Sequence, residues 1–165
     1  MAAMIGFDVT ATVSDFDEGK GFGLGDRIET SDGKVYVYVQ ASGAITGDGY
    51  VVSIDEAYQA VMVDTDTAAT VAEGQAIGVA EAAFADDEYG WVQVYGACGV
   101  RTLANAAANV KVSATATAGV VDDGGSTGGN YIDGLVLNTA TGGAAALNTT
   151  GWLNYPKIAL IGTYA

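Results

Sequence analysis

The sequence predicts an all-β protein: a small β-sandwich or β-barrel of short antiparallel strands, with at most short helices and extended terminal arms. Three observations lead there. Short runs of β-branched and aromatic residues recur at near-regular spacing, each bounded by turn residues. Half of the chain is hydrophobic, but much of that half is alanine, and 24 glycines accompany it, a mixture that favours tight turns and a thin core. The two stretches with helical character, Asp55 to Ala60 and Thr102 to Asn109, are too short to hold a helix without packing. At 165 residues the chain fits one domain able to bury a core without metal or disulfide.

Residues 1–18 read as an N-terminal arm or edge strand, with Val9, Ala11 and Val13 alternating against Thr10, Thr12 and Ser14. Residues 19–150 form the β-domain. It opens with a glycine-rich loop, Gly19 to Asp26, that superficially resembles a phosphate-binding loop. Such loops need a helix behind them, and here a strand follows. The clearest strand is Lys34 to Ala41, entered through the turn pair Asp32-Gly33. Its alternation sends Val35, Val37 and Val39 to the core, and Tyr36, Tyr38 and Gln40 to a half-exposed face. Further strands are expected at Tyr50 to Ile54, Ala60 to Val63, Gln75 to Ala80, Trp91 to Tyr95, Val110 to Ser113, Tyr131 to Leu137 and Ile158 to Ile161. Residues 151–165 form a C-terminal strand or extension, in which Pro156 biases Tyr155 towards extended geometry. Val61 to Glu73 aligns with Val110 to Asp122 at an offset of 49, and Ile77-Gly78-Val79 resembles Asp133-Gly134-Leu135. A candidate internal duplication therefore covers about 50–80 and 99–137.

Twenty acidic residues face six basic ones, a net charge of −14 that opposes nucleic-acid backbones and anionic membrane surfaces. No nucleic-acid or membrane partner is expected. MAAMIGFDV has neither a basic region nor a sustained apolar run, so the expectation is synthesis in a cytoplasm without a signal peptide. Cys98 is the one cysteine and reads as a small buried apolar residue.

With no histidine in the chain, Ser–His–Asp and Cys–His catalysis are excluded, and a zinc site lacks ligands. Carboxylate-pair chemistry remains open to composition, but the acids gather in turns such as Asp86, Asp87 and Glu88, where they read as solvated charge. Asp15, Asp17 and Glu18, and Asp64 with Asp66, place carboxylates two apart as calcium loops do, yet neither completes an EF-hand. The expectation is a non-enzyme with no cofactor and no metal.

Three segments taken together, KVYVYVQASGAI (Lys34 to Ile45), IGVAEAAFADDEYGWVQVYGAC (Ile77 to Cys98) and IDGLVLNTATGGAAALNTTGWLNYPKI (Ile132 to Ile158), resemble head decoration, or cement, proteins of tailed bacteriophages, particularly marine and cyanobacterial ones. The resemblance covers about residues 20–160. It implies a β-domain on the outer surface of an icosahedral capsid, bound between major capsid subunits, associated with itself as a homotrimer, and without catalytic residues. The rival reading is a glycan-binding adhesion or head-fibre module, with Tyr36 and Tyr38 stacking on sugars near acids such as Asp48. Interfaces concentrate binding energy in aromatic side chains, so the candidate protein contacts are Ile5 and Phe7 in the arm, Tyr36, Tyr38 and Tyr89 in the domain, and Trp152 and Tyr155 near the C-terminus. Trp91 is expected in the core.

Overall fold

The computed structural model describes residues 8–14, 22–65, 74–124, 130–143 and 146–159. Its elements are ten strands: β1 (Arg27–Glu29), β2 (Val35–Ala41), β3 (Val51–Ile54), β4 (Gln59–Met62), β5 (Ala76–Ala80), β6 (Tyr89–Thr102), β7 (Val112–Ala114), β8 (Val121–Asp123), β9 (Tyr131–Leu137) and β10 (Leu147–Ala159). The all-β expectation holds.

The pairings close two rings. In the first, β2 pairs with β4 in parallel, β4 with β3, β3 with β5 and β5 with β6 antiparallel, and the N-terminal half of β6 returns to β2. In the second, the C-terminal half of β6 pairs with β8 in parallel, β8 with β7, β7 with β9 and β9 with β10 antiparallel, and β10 returns to β6. Each ring is a small five-stranded barrel of identical connectivity, and β6 belongs to both. Closing a sheet on itself removes the exposed edges that a short-stranded sheet otherwise presents.

Hydrophobic alternation explains where each core lies. Val37, Val39, Val52, Ile54, Val92 and Val94 point into the first ring. Cys98, Val100, Val112, Val121, Ile132, Leu135, Leu137 and Leu153 fill the second. Val51, Ile77 and Val79 join this second core from the outer faces of β3 and β5. Those two strands are therefore buried on both sides, which is why VVSI and AIGVA read as continuous apolar runs rather than alternating ones.

The passage of β6 between rings depends on Gly96. Its φ of +99° suits glycine alone, and a Cβ there would lie 3.2 Å from the Lys34 Cα. Beside this bend the fully buried Gln93 donates from Nε2 to the carbonyls of Tyr95 and Ala97, both at 2.9 Å, fastening the strand on either side of Gly96. The 14-residue β6 outruns the expected Trp91–Tyr95 strand because GACG lacks large side chains.

The structure corrects several sequence expectations. Tyr36 and Tyr38 do not form a half-exposed face; they are 3% and 6% exposed and pack with Trp91 and Ile28 beneath Val9, Phe22 and Leu24. The sheet here is covered on both sides, with valines inward and tyrosines under the segment leading into β1. Neither helical candidate is a helix. The Asp55 carboxylate accepts from the Ala57 and Gln59 amides in a side-chain-closed turn, with Tyr58 at φ +59°. In the other, Asn105 and Asn109 have φ of +63° and +60°, and buried Thr141 Oγ1 accepts from the Ala106 amide at 2.9 Å. Tyr155 is not extended, as its proline neighbour suggests, but has φ +46° in a bulge of β10 opposite Gly134.

The offset of 49 sets β4 against residues 108–111, which precede β7, so those strands do not coincide. The ring positions instead equate β2 with the second half of β6, β3 with β7, β4 with β8, β5 with β9, and the first half of β6 with β10. Ala41 and Thr102 make the matching parallel bridges, to Ala60 and Val121. In the register they define, Tyr36 and Tyr38 fall on Ala97 and Gly99, and their antiparallel partners Gln93 and Trp91 fall on Trp152 and Thr150. Ile77–Val79 and Asp133–Leu135 do lie on equivalent strands, β5 and β9.

Gly134 is a position where one methyl group is expected to do harm outside the core, because the contact is with backbone. It has φ +84°, and a Cβ there would lie 2.7 Å from the Asn154 carbonyl oxygen. Gly134→Ala should destabilise by about 2 kcal/mol or more and lower the thermal midpoint by about 4–8 °C. An unchanged melting curve would remove the bulge from the account of stability.

Candidate protein-contact face

The face is built by the alternation of β10. In Asn148-Thr149-Thr150-Gly151-Trp152-Leu153-Asn154, Thr149, Gly151 and Leu153 turn inward, while Asn148, Thr150, Trp152 and Asn154 turn to solvent. Gly151 is needed because a Cβ would meet Val100 Cγ2 at 2.8 Å. Trp152 lies directly between Ala97 of β6 and Val136 of β9 in the two ladders. Residues opposite one another share a face, so these three form an apolar stripe across the strands. Trp152 is 43% exposed and Val136 40%. Beside Ala97, Gly99 is exposed with open space where a Cβ would stand, leaving a trough along β6 next to the ridge of Trp152.

The β10 bulge adds Tyr155, 51% exposed, with its ring 5.2 Å from that of Tyr95. Tyr95 in turn meets Trp152 edge-on at 5.8 Å. The row Trp152–Tyr95–Tyr155 ends at a cleft of about 180 Å³ floored by Val37, Ile54 and Val94, with Tyr58, Tyr155, Arg27 and Lys157 in its lining. Among the described residues no carboxylate lines it.

Of the seven contact candidates read from the sequence, the structure brings only Trp152 and Tyr155 together on a surface. Tyr89 is half-buried at the start of β6 and bridges to Val13. Tyr36 and Tyr38 are buried, so the sugar-stacking face of the glycan reading is not presented. Ile5 and Phe7 lie outside the described residues, as do Asp15, Asp17, Glu18 and Asp66 of the calcium-like pairs. Trp91 is buried as expected, its ring 5.0 Å from Tyr38 and edge-on to Phe22 at 5.1 Å. Sequence reasoning missed Tyr95, Ala97, Gly99 and Val136 as members of the face; the signal was the polar–apolar alternation around GW in β10 and the small residues of GACG.

The face carries charges of both signs, since exposed Asp133 of β9 stands opposite Lys157 of β10. Neither β6 nor β10 contains an acidic residue, although the chain has 20. Between them they carry Arg101, whose Nη1 lies 3.4 Å from Asn148 Oδ1, and Lys157. Asn148 Nδ2 in turn donates to Asp48 Oδ2 at 2.9 Å, tying β10 to the Gly47–Gly49 turn. Lys34 pairs with Asp32 at 3.8 Å, and 20 acidic residues against six basic ones leave the chain too few cations to pair them one to one.

Compared with family models, curated proteins and solved structures, the chain finds no match. Function rests on the geometry.

No group of His, Cys, Asp or Glu among the described residues is arranged to hold a metal ion, and no described helix is long and apolar enough to cross a membrane. Burial pushes the Cys98 thiol up to about 12, with the nearby Glu81 charge adding to the shift. Burial raises Glu81 above the usual carboxylate range; Asp48 and Asp32 reinforce this, and Lys34 opposes it. Ser53 Oγ and Gln93 Oε1 are buried without a hydrogen-bond partner.

Two outcomes follow for these groups. A thiol reagent at pH 8 should leave native Cys98 unmodified and label it only after unfolding; fast stoichiometric labelling of the native protein would contradict its burial. Because the folded carboxyl of Glu81 holds its proton to higher pH than the unfolded one, its stability contribution is lost as pH rises through that window. Glu81→Gln should therefore raise the thermal midpoint at pH 7 and leave it nearly unchanged at pH 4. Equal effects at both pH values would mean that charge burial is not the cause.

Proposed function

We propose that this chain is a structural virion protein that decorates and stabilises the outer surface of an icosahedral phage capsid, binding between major capsid subunits and associating with its own copies as a homotrimer. The observation that carries the reading is one partly exposed apolar stripe, Ala97–Trp152–Val136 with Tyr95 and Tyr155, on a strongly acidic double barrel. Interfaces concentrate their energy in such partly exposed aromatic residues, and contiguous apolar surface on a soluble domain marks an interaction site. The negative charge supports an outer position, since packaged nucleic acid repels it and neighbouring copies are kept from clumping. Two barrels closed on a shared strand give a rigid body with few free edges, suited to bearing load rather than to turning over a substrate. The three segments resembling decoration proteins span β2, β5 to β6 and β9 to β10, the strands that build and support this face.

The test is reconstitution of purified phage heads lacking the protein, with occupancy read by quantitative mass spectrometry. About one copy per major capsid subunit is expected, together with a higher temperature of head rupture. A few copies per particle, or none, would refute a lattice-wide coat. Removing residues 1–7 should lower occupancy if the arm grips the shell; the cut stops short of Val9 and Val13, which belong to the folded domain.

A further inference from the structure

One end of the first ring is a concavity. There β3 stops at Ile54, β4 begins at Gln59 and β5 begins at Ala76, and the cleft of about 180 Å³ is lined by Ile54, Tyr58 and Ala76. Its floor is the interior of the barrel itself. Val37, Ile54 and Val94 belong to the first core, and each keeps a trace of exposure where Val39, Val52 and Val92 keep none. Barrel mouths of this kind, where an apolar cavity meets a few polar groups, favour small ligands. Two of the lining residues are also backbone outliers. Among the described residues five non-glycines have positive φ. Asp87, Asn105 and Asn109 are of types that tolerate it, whereas Tyr58 at +59° and Tyr155 at +46° are not. Both tyrosines line the cleft. The Asp55 carboxylate fixes the first by accepting from the Ala57 and Gln59 amides at 2.9 and 2.8 Å. The Tyr58 ring packs over Gly25, where a Cβ would collide with it. Backbone strain of this kind gathers at ligand clamps.

We propose that the cleft binds a small organic carboxylate, its apolar body on Val37, Ile54 and Val94 and its charged head between Arg27 and Lys157. Volume sets the body: an apolar cavity of about 150 Å³ takes up a benzene-sized molecule, so the ligand carries about six carbons. Charge sets the head. Arg27 and Lys157 are two of only six basic residues in the chain, and both are exposed at the cleft. Among the described residues neither has an ion-pair partner. Asp133, opposite Lys157 on β9, and Glu29, two residues along β1 from Arg27, are exposed but are not among the residues lining the cleft. Two unpaired cations beside an apolar floor are matched by an anion with an apolar body. The site belongs to the single chain and needs neither capsid nor sister copy, so its failure and that of the particle assay are distinguishable.

The experiment is a titration of the purified full chain with hexanoate and with benzoate, followed by methyl NMR, with hexanamide and benzamide as uncharged counterparts of nearly equal shape. Shifts are expected at the Val37, Ile54 and Val94 methyls, with dissociation constants of about 1 mM or below. The acids should bind about 10-fold more tightly than the amides, because a charge-assisted contact replaces a neutral one. Arg27→Gln and Lys157→Gln, each at an exposed position, should remove most of that preference and leave amide binding unchanged. Ala76→Leu, which enlarges an exposed lining residue, should block acids and amides alike. Unchanged thermal melting of the three variants separates a lost site from a lost fold. The proposal is overturned by an absence of methyl shifts several-fold above the expected dissociation constant, or by shifts confined to other residues. Equal affinity for acid and amide overturns it too, as does an acid preference indifferent to both charge substitutions.

Discussion

Everything in this molecule is arranged around β6. One uninterrupted strand serves as the last stave of the first barrel and the first stave of the second, and that double use is possible because the backbone turns at Gly96. Gln93 holds the turn by bonding to carbonyls on both sides of it. The energetic weight of this small region is out of proportion to its size. The buried amide satisfies two carbonyls that would otherwise each cost about 1–3 kcal/mol to leave unpaired. A bulkier residue at Gly96 would have to displace the β1–β2 turn, through Lys34. The wall between the barrels has a similar economy. Because β3 and β5 bury both faces, the same few valines and isoleucines close one core and support the other, which is how a chain so rich in glycine and alanine still encloses two apolar interiors.

Much of this was legible in the residues. Lys34 to Ala41, Tyr50 to Ile54, Gln75 to Ala80 and Tyr131 to Leu137 were readable as strands because their runs are β-branched and bounded by glycine or aspartate, and β2, β3, β5 and β9 match them within a residue. What escaped was of two kinds. β1 and β8 have three residues each, too few for any period to show. The second half of β6 and the first half of β10 contain small or polar residues, GACG and NTTG, whose strand conformation comes from ladder partners and not from their own preference. The facing of Tyr36 and Tyr38 was misjudged for a physical reason: alternation reports that a strand has two faces, but not that the polar-tipped one is covered. Phe22 and Leu24, the residues that cover it, lie in a glycine-rich stretch that reads as loop. The repeat was visible as composition but in the wrong register, since matches among valine, alanine and threonine are degenerate and only the ladder pairs fix the equivalence. Of the contact face, Trp152 and Tyr155 could be named from the sequence; the flat strip beside them could not, because glycine and alanine acquire meaning only once a ladder sets them next to a tryptophan.

The charge distribution follows from the same architecture. Short strands in closed rings leave little surface on the strands and much on the turns, and the turns hold Asp32, Asp48, Asp55, Glu56, Asp86 and Asp87. Carboxylates there close local hydrogen bonds, as Glu88 does with the Ala85 amide at 2.7 Å, and remain solvated. They keep copies apart in solution without burying charge, and leave the long central strands free of it.

The placing of β10 carries a consequence for how the chain is made. That strand pairs with β6, β9 and β5, yet it emerges from the ribosome after all of them. Until it arrives, the second ring is a half-open sheet with two unsatisfied margins, and Leu135, Leu137 and Val100 have lost the lid that Leu153 and Ile158 provide. Folding of this half is thus a closing step, governed by long-range pairing and exposed to wrong partners while it waits. Nascent copies crowded on one message would meet each other edge to edge, and the speed with which a single strand is inserted decides whether they become separate molecules or a tangle.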